Sequence, residues 1–273
     1  MSHLHRHLAP ISSEAWEKIA EEAKQTLKAT LAARKLVDFD GPKGWRKSAV
    51  STGRVKAVEP EPRAGVTAAI RKVLPITELR AVFELSRTEL DAVDRGAEDP
   101  DLDPVIAAAK QIALAEDHAV FHGYAPAQID GICEQAPGGP IPITHNYEDY
   151  PVAVAQAITR LRNAGVDGPY AIALGPQCYA GLTDTTKNGY PVIQHVRRLV
   201  DGPIIYAPAV DGAVVLSMRG GDFKITVGQD LSIGYLDHTA KTVTLYLEES
   251  FTFQVLSEQA AVRLAYSSDG KKK

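Results

Sequence analysis

The chain has 273 residues, 45% of them hydrophobic and 23% charged, with 30 Lys and Arg against 34 Asp and Glu, for a formal net charge of −4. That size and mixture suit a folded protein with a filled core and exclude a disordered or collagen-like chain. There is no basic stripe of the kind nucleic acid requires, no apolar run of the ~18–20 residues of a membrane span, and no apolar signal core in residues 1–10. Cys133 and Cys178 form no C-x-x-C pair, so neither a disulfide framework nor a zinc knuckle is expected. The reading is a cytoplasmic protein with no nucleic-acid and no membrane partner.

Ser12 or Ser13 caps a predicted helix whose first turn carries Glu14 and Glu17, where carboxylates suit the positive end of the helix dipole. Trp16, Ile19, Ala23, Leu27 and Leu31 recur at steps of three and four and form one apolar stripe, with Glu21, Glu22, Lys24 and Lys28 turned away. Past Gly41-Pro42, alternating stretches at 49–58 and 66–73, separated by a turn-rich tip at 60–65, predict a long two-stranded arm. An isolated hairpin is marginal in water, so such an arm lies against a core or another subunit. A third strand is predicted over 76–85.

Asp103 before Pro104 predicts a helix start, with Asp103 accepting from the free amides, and the helix runs to Gly123 over roughly 30 Å. Then come a helix over 152–163 ended by Gly165, a buried strand over 170–174, a helix over 191–200 and a strand over 204–207. From 213 onward the chain reads as strand: 214–217, 223–227, 231–235, 242–247 and 251–256, punctuated by glycines. The fold class is therefore α+β. Residues 267–273 are polar, end in three lysines, and are expected to fray.

Motifs with a chemical mechanism are missing: there is no phosphate-binding P-loop, no H-E-x-x-H, no G-x-S-x-G and no dinucleotide fingerprint. Gly220-Gly221 is followed by Asp222, which repels phosphate, so a turn is expected there. His3, His5 and His7 alternate and could share one face of a strand, but no supporting carboxylate stands near them in sequence. His118 and His122 are one helical turn apart without a third ligand, and neither cysteine has a recognisable base. A thiol- or metal-dependent hydrolase would rest on those four residues; the reading is instead a non-enzyme with no catalytic residue, metal or cofactor.

The most distinctive strings give a sharper expectation. Leu8-Ala9-Pro10, Ala32-Ala33-Arg34-Lys35, Gly44-Trp45, Glu78-Leu79-Arg80, Asp101-Leu102-Asp103-Pro104 and the run from Ala164 to Tyr170 stand in order along the chain. Arg219-Gly220-Gly221-Asp222-Phe223, the run from Gly228 to Tyr235, and Glu249-Ser250-Phe251-Thr252-Phe253 are the most specific. Together they resemble the encapsulin shell proteins, bacterial nanocompartment subunits also described as linocin-type bacteriocins.

The resemblance implies the coat-protein fold of tailed bacteriophages, with a peripheral domain, an axial domain and an extended loop. Residues 1–48 would supply the N-terminal helix and the start of the peripheral domain, 49–75 the extended loop, and 76–130 the peripheral domain with its spine helix. Residues 131–210 would form the axial domain, and 211–273 would complete both. It further implies a self-assembling icosahedral shell, a homo-oligomer of about sixty copies in its smallest form. The enclosed cargo would be a dye-decolourising peroxidase or ferritin-like protein bearing a C-terminal targeting peptide.

Cargo contact is carried by this resemblance onto Ile19, Leu27, Leu31, Arg34, Leu36, Asp38, Asp230, Leu231 and Ile233. Apolar pockets would take alternate peptide side chains, and Arg34 and Asp38 would fix register. The pore loop is carried onto Thr183, Asp184, Thr185, Thr186, Lys187, Asn188, Gly189 and Tyr190. Some members bind flavin through a tryptophan in the segment matching 85–90; Thr88 stands there, so no flavin is expected. A phage coat protein packaging DNA is the alternative within the same fold, and the net acidity weighs against it.

Overall fold

A computed structural model of the chain describes residues 3–267. The expected fraying of 267–273 falls, from 268 on, outside the described residues. Helix α1 (Ser13–Thr30) begins where Ser12 Oγ accepts the Ala15 amide at 3.1 Å, and it buries Ala15, Ile19, Ala23, Thr26 and Leu27. After the short strand β1 (Asp38–Asp40), strands β2 (Ala49–Arg63) and β3 (Val66–Pro75) form a separate two-stranded arm. The expected broad tip at 60–65 tightens to Ala64-Gly65, and β2 runs straight through Pro60 and Pro62. Prolines are tolerated there because the arm has free edges on which no ladder amide is missed.

Strand β4 (Thr77–Ser86) returns to the body and leads into helix α2 (Arg87–Asp94), a short element without a strong sequence signature. Helix α3 (Asp103–His122) is the predicted spine, but Asp103 is its first helical residue rather than its cap. Asp101 does the accepting instead, taking the Asp103 amide at 3.1 Å. Ten side chains of α3 are buried, including Glu116 and Asp117. The middle of the chain supplies α4 (Ile132–Gln135), β5 (Ile141–Ile143), α5 (Tyr150–Asn163), β6 (Tyr170–Leu174), α6 (Pro176–Asp184), β7 (Thr186–Lys187), β8 (Tyr190–Pro191), α7 (Val192–Arg197) and β9 (Ile204–Tyr206). Helix α6 was not foreseen, and the helix expected over 191–200 contracts to α7.

The remaining strands are β10 (Ala213–Ser217), β11 (Phe223–Val227), β12 (Ser232–His238), β13 (Thr242–Val255) and β14 (Ala261–Tyr266). Two five-stranded sheets organise the body. In the first, β4 lines one edge of β13, and β11 and β12 share the other, with β1 added in parallel beyond β11. The second runs β5-β14-β10-β6-β9. One core packs α1, α2 and α3 against β4, β12 and β13; a larger one surrounds the second sheet and extends to α5 and the C-terminal half of α3.

Strand β13 was expected as two strands, 242–247 and 251–256, with Glu248-Glu249-Ser250 in neither. The structure keeps them in the ladder and buries all three at 1–2% exposure. Burial of a carboxylate requires a partner. Glu248 has Arg80 and His3 at 2.8 Å, Glu249 has Arg34 at 2.8 Å, and Ser250 Oγ accepts the Gln229 amide at 2.8 Å. Gly234, opposite Tyr246, leaves room for that ring: a Cβ there would lie 2.1 Å from it.

Candidate functional site

Helix α1 and strand β12 do not meet along their whole length, and a groove of about 540 Å³ lies between them. The apolar stripe of α1 is wider than its contact with α3, so Ala23, Leu27 and Leu31 also form the groove's floor, joined by Leu231, Ile233 and Leu247. The N-terminal segment supplies Leu4 and Arg6 to the lining. Its anchors include the Leu4 carbonyl, which accepts the Tyr235 amide at 2.8 Å, His3, which stacks on Trp45 at 3.9 Å and bonds Glu248 at 2.8 Å, and Arg6, which lies 4.1 Å over the Trp16 ring. His3 is thereby separated in role from His5 and His7, whose rings stand 6.4 Å apart.

Arg34, at the groove's end, binds three carboxylates. Its Nε donates to Glu116 at 2.8 and 2.9 Å, Nη1 to Asp230 at 2.7 Å and Nη2 to Glu249 at 2.8 Å. Burial alone would lower the Arg34 pKa, but the Glu116 hydrogen bond and the charges of Glu116 and Glu249 outweigh it and raise it. Glu249 is pushed above the carboxylate range by burial and by neighbouring Glu116, and the Arg34 charge opposes that shift. Next to it, Asp117 accepts the Ala32 and Ala33 amides at 2.8 and 2.9 Å, and burial, only partly offset by those bonds, lifts it to about 7.

Of the residues expected to touch a peptide, the groove brings together Leu27, Leu31, Arg34, Asp230, Leu231 and Ile233. It does not include the other three. Ile19 is fully buried in the α1 core, and Leu36, 3% exposed, belongs to the larger core. Asp38 accepts the Gly221 amide at 2.6 Å and lines a separate small crevice with Leu36. Sequence reasoning missed Arg6, Lys24, Lys28 and Leu247. Lys24 and Lys28 were read as solvent-facing, yet their positions, flanking Leu27 and Leu31 on the helical wheel, are where a rim would sit.

The segment Thr183, Asp184, Thr185, Thr186, Lys187, Asn188, Gly189 and Tyr190 closes α6 and makes the β7–β8 hairpin. Asn188 and Gly189 have φ of 52° and 81°, the paired positive values of a two-residue type I′ turn that Asn-Gly favours. Tyr190 is 61% exposed, and Lys187 Nζ donates to the Glu148 carbonyl at 2.9 Å.

A family model described as "Encapsulating protein for peroxidase" matches residues 1–252. A type 1 encapsulin shell protein of Rhodospirillum rubrum is 53% identical over 270 residues, spanning 97% of this chain and 96% of its own. The chain belongs to the encapsulin shell-protein family. A second family member, from Mycobacterium tuberculosis, is 44% identical and covers 97% of this chain and 100% of its own. The encapsulin fold is shared with a virus-like particle from Pyrococcus furiosus (TM-score 0.65, 17% identity, 92% and 99% coverage). The capsid protein of Myoviridae phage XM1 shares it too (TM-score 0.55, 11% identity, 86% and 91% coverage). Like its encapsulin relatives, the chain is a structural shell subunit and not an enzyme.

Of the residues a hydrolase would have used, both cysteines are free and buried. Burial pushes the Cys133 thiol up to about 12 and raises Cys178, so neither is a thiolate at neutral pH. His122 has Glu134 Oε1 at 3.3 Å from Nδ1 and the Ala209 carbonyl at 3.2 Å from Nε2. Among the described residues no helix is long and apolar enough to cross a membrane.

Proposed function

We propose that this shell subunit closes with copies of itself, about sixty in the smallest icosahedron, into a cytoplasmic nanocompartment, and that the α1–β12 groove holds a C-terminal peptide of an enclosed enzyme. The observation that carries the docking part is an open apolar groove, floored by Leu27, Leu31, Leu231 and Ile233 and closed at one end by the Arg34 node. An extended peptide places alternate side chains in such a groove and leaves its backbone to the rim. A dye-decolourising peroxidase or a ferritin-like protein is the proposed cargo; the family description, which names a peroxidase, supports the first.

The arm supports the closure part. Val55, Ile70 and Val73 are 63, 64 and 47% exposed on a hairpin with two free edges, a surface that a neighbouring copy would cover. In this reading residues 49–75 are the extended loop, the first core is the peripheral domain, the second sheet lies in the axial domain, and hairpin 183–190 lines a pore.

Negative-stain microscopy of the purified chain is expected to show uniform hollow particles free of nucleic acid; a persistent lone subunit at high concentration would overturn the reading. Leu231→Asp, at a half-buried groove position, is expected to leave particles intact and to reduce co-purifying cargo. Unchanged loading would move the docking site elsewhere.

A further inference from the structure

We infer that Cys178 and the tyrosines hydrogen-bonded around it form a radical sink: a one-electron oxidant that takes an electron from Tyr266 leaves the unpaired electron on the Cys178 sulfur. The inference uses no residue of the α1–β12 groove and stands apart from any docked peptide.

Four side chains from distant segments share one hydrogen-bonded chain. Tyr147 and Tyr150 bracket the start of α5, Cys178 lies in α6, and Tyr266 ends β14. The Tyr147 and Tyr266 hydroxyls are 3.3 Å apart, the Tyr266 hydroxyl is 3.1 Å from Cys178 Sγ, and the Tyr150 hydroxyl meets the same sulfur. Depth is graded along it. Cys178 and Tyr150 are 0 and 1% exposed, whereas Tyr147 and Tyr266 are half-buried, so an oxidant in solution meets the outer phenols before the thiol. Both outer rings are held: His145 stacks on Tyr266 at 4.8 Å, and the Tyr147 ring covers Gly181, where a Cβ would lie 2.1 Å from it.

Burial raises Tyr150, Cys178 and Tyr266, so all three keep their protons at neutral pH. A thiol without thiolate character is a poor nucleophile. It is still a hydrogen-atom donor to a phenoxyl radical to which it is hydrogen-bonded. Tyr266 loses an electron to the oxidant and its phenolic proton to water by way of Tyr147. The Cys178 S–H bond then breaks, and its proton and one electron cross the 3.1 Å contact, restoring the Tyr266 hydroxyl and leaving a thiyl. The Tyr150 hydroxyl keeps the sulfur in position. In air the thiyl adds dioxygen through a new S–O bond, and the free thiol is lost.

Cys133 is the contrast within the same chain. It is also a free, buried cysteine, its thiol pushed up to about 12 by burial, and it is 6% exposed against 0% for Cys178. Among the described residues no tyrosine is hydrogen-bonded to it. Accessibility alone would oxidise Cys133 first; relay through the phenols reverses that order.

The test illuminates the purified full-length chain in air with ruthenium tris-bipyridine and persulfate, which generate a one-electron oxidant, and follows each cysteine by alkylation and mass spectrometry. Cys178 is expected to lose its free thiol severalfold faster than Cys133; equal loss, or Cys133 first, overturns the inference. Tyr266→Phe is expected to slow the loss at Cys178 to the rate of Cys133, and an unslowed loss removes Tyr266 from the relay. Samples frozen under illumination are read by electron paramagnetic resonance. Cys178→Ser, which keeps a small polar group between the hydroxyls, is expected to raise the tyrosyl signal severalfold, and Cys133→Ser to leave it unchanged. A tyrosyl signal that does not rise in Cys178→Ser shows that the thiol is not the sink.

Discussion

The two five-stranded sheets solve burial in opposite ways. In the second, β6 and β10 are fully buried and apolar apart from Ser217, whose hydroxyl donates to the Asp167 carbonyl at 2.6 Å. In the first, β13 carries Glu248, Glu249 and Ser250 through the middle of the ladder and depends on Arg34, Arg80, His3 and the Gln229 amide to make that tolerable. Apolar packing asks only for volume and pattern, whereas buried charge asks for particular partners from distant segments. The first sheet is consequently tied to the α1–β12 groove through Arg34 and Asp230, and the second is not.

The largest test of this contrast removes the shared cation. Arg34→Met strands Glu116 and Glu249 in the interior, and a loss of about 3–5 kcal/mol is expected, read as a lowered unfolding temperature of the particles and poor recovery of assembled shells. In the apolar sheet, Leu174→Ala is expected to cost about 3 kcal/mol through the cavity it leaves, seen in the same measurement but without change in groove loading once particles form.

A pH series probes the buried carboxylate of α3 beside Glu116. The Asp117 carboxyl, raised to about 7 by burial, binds its proton more tightly folded than unfolded. Its contribution is complete below the ordinary carboxylate range and is lost as pH rises through about 7. Calorimetry across this window should show stability falling with rising pH, and Asp117→Asn should flatten that slope. A slope unchanged in the variant assigns it to another group.

The smallest expected effect is a gain. Thr226 and Thr252 face each other across β11 and β13, and neither buried hydroxyl has a partner among the described residues. Thr252→Val is expected to stabilise by about 1 kcal/mol, measured as a modest rise in unfolding temperature.

The same contrast explains how much could be read beforehand. Strand β6 was legible to the residue, because a short apolar run bounded by Gly168-Pro169 and Gly175-Pro176 has one reading. Strand β13 was split in two, since the partners that keep Glu248 and Glu249 in line lie 168 and 215 residues away. Site residues divided similarly. The α1 stripe was legible from its period, but Ile19 and Leu36 were grouped with Leu27 and Leu31 by the family resemblance, and neither period nor resemblance tells a groove-facing residue from a core one. Arg34 was picked out, while its saturation by three carboxylates needed tertiary geometry. Helices α2 and α6 lack the length to give a clear period.

Among the described residues, strand β5 finds its only ladder partner in β14, which sits between it and β10. On the ribosome, Ile141–Ile143 therefore waits on the order of ten seconds at ordinary elongation rates for its mate to be synthesised. The arm, whose two strands follow one another directly, is finished long before. The arm's ladder can thus close while the second sheet still lacks β14, one of its inner strands.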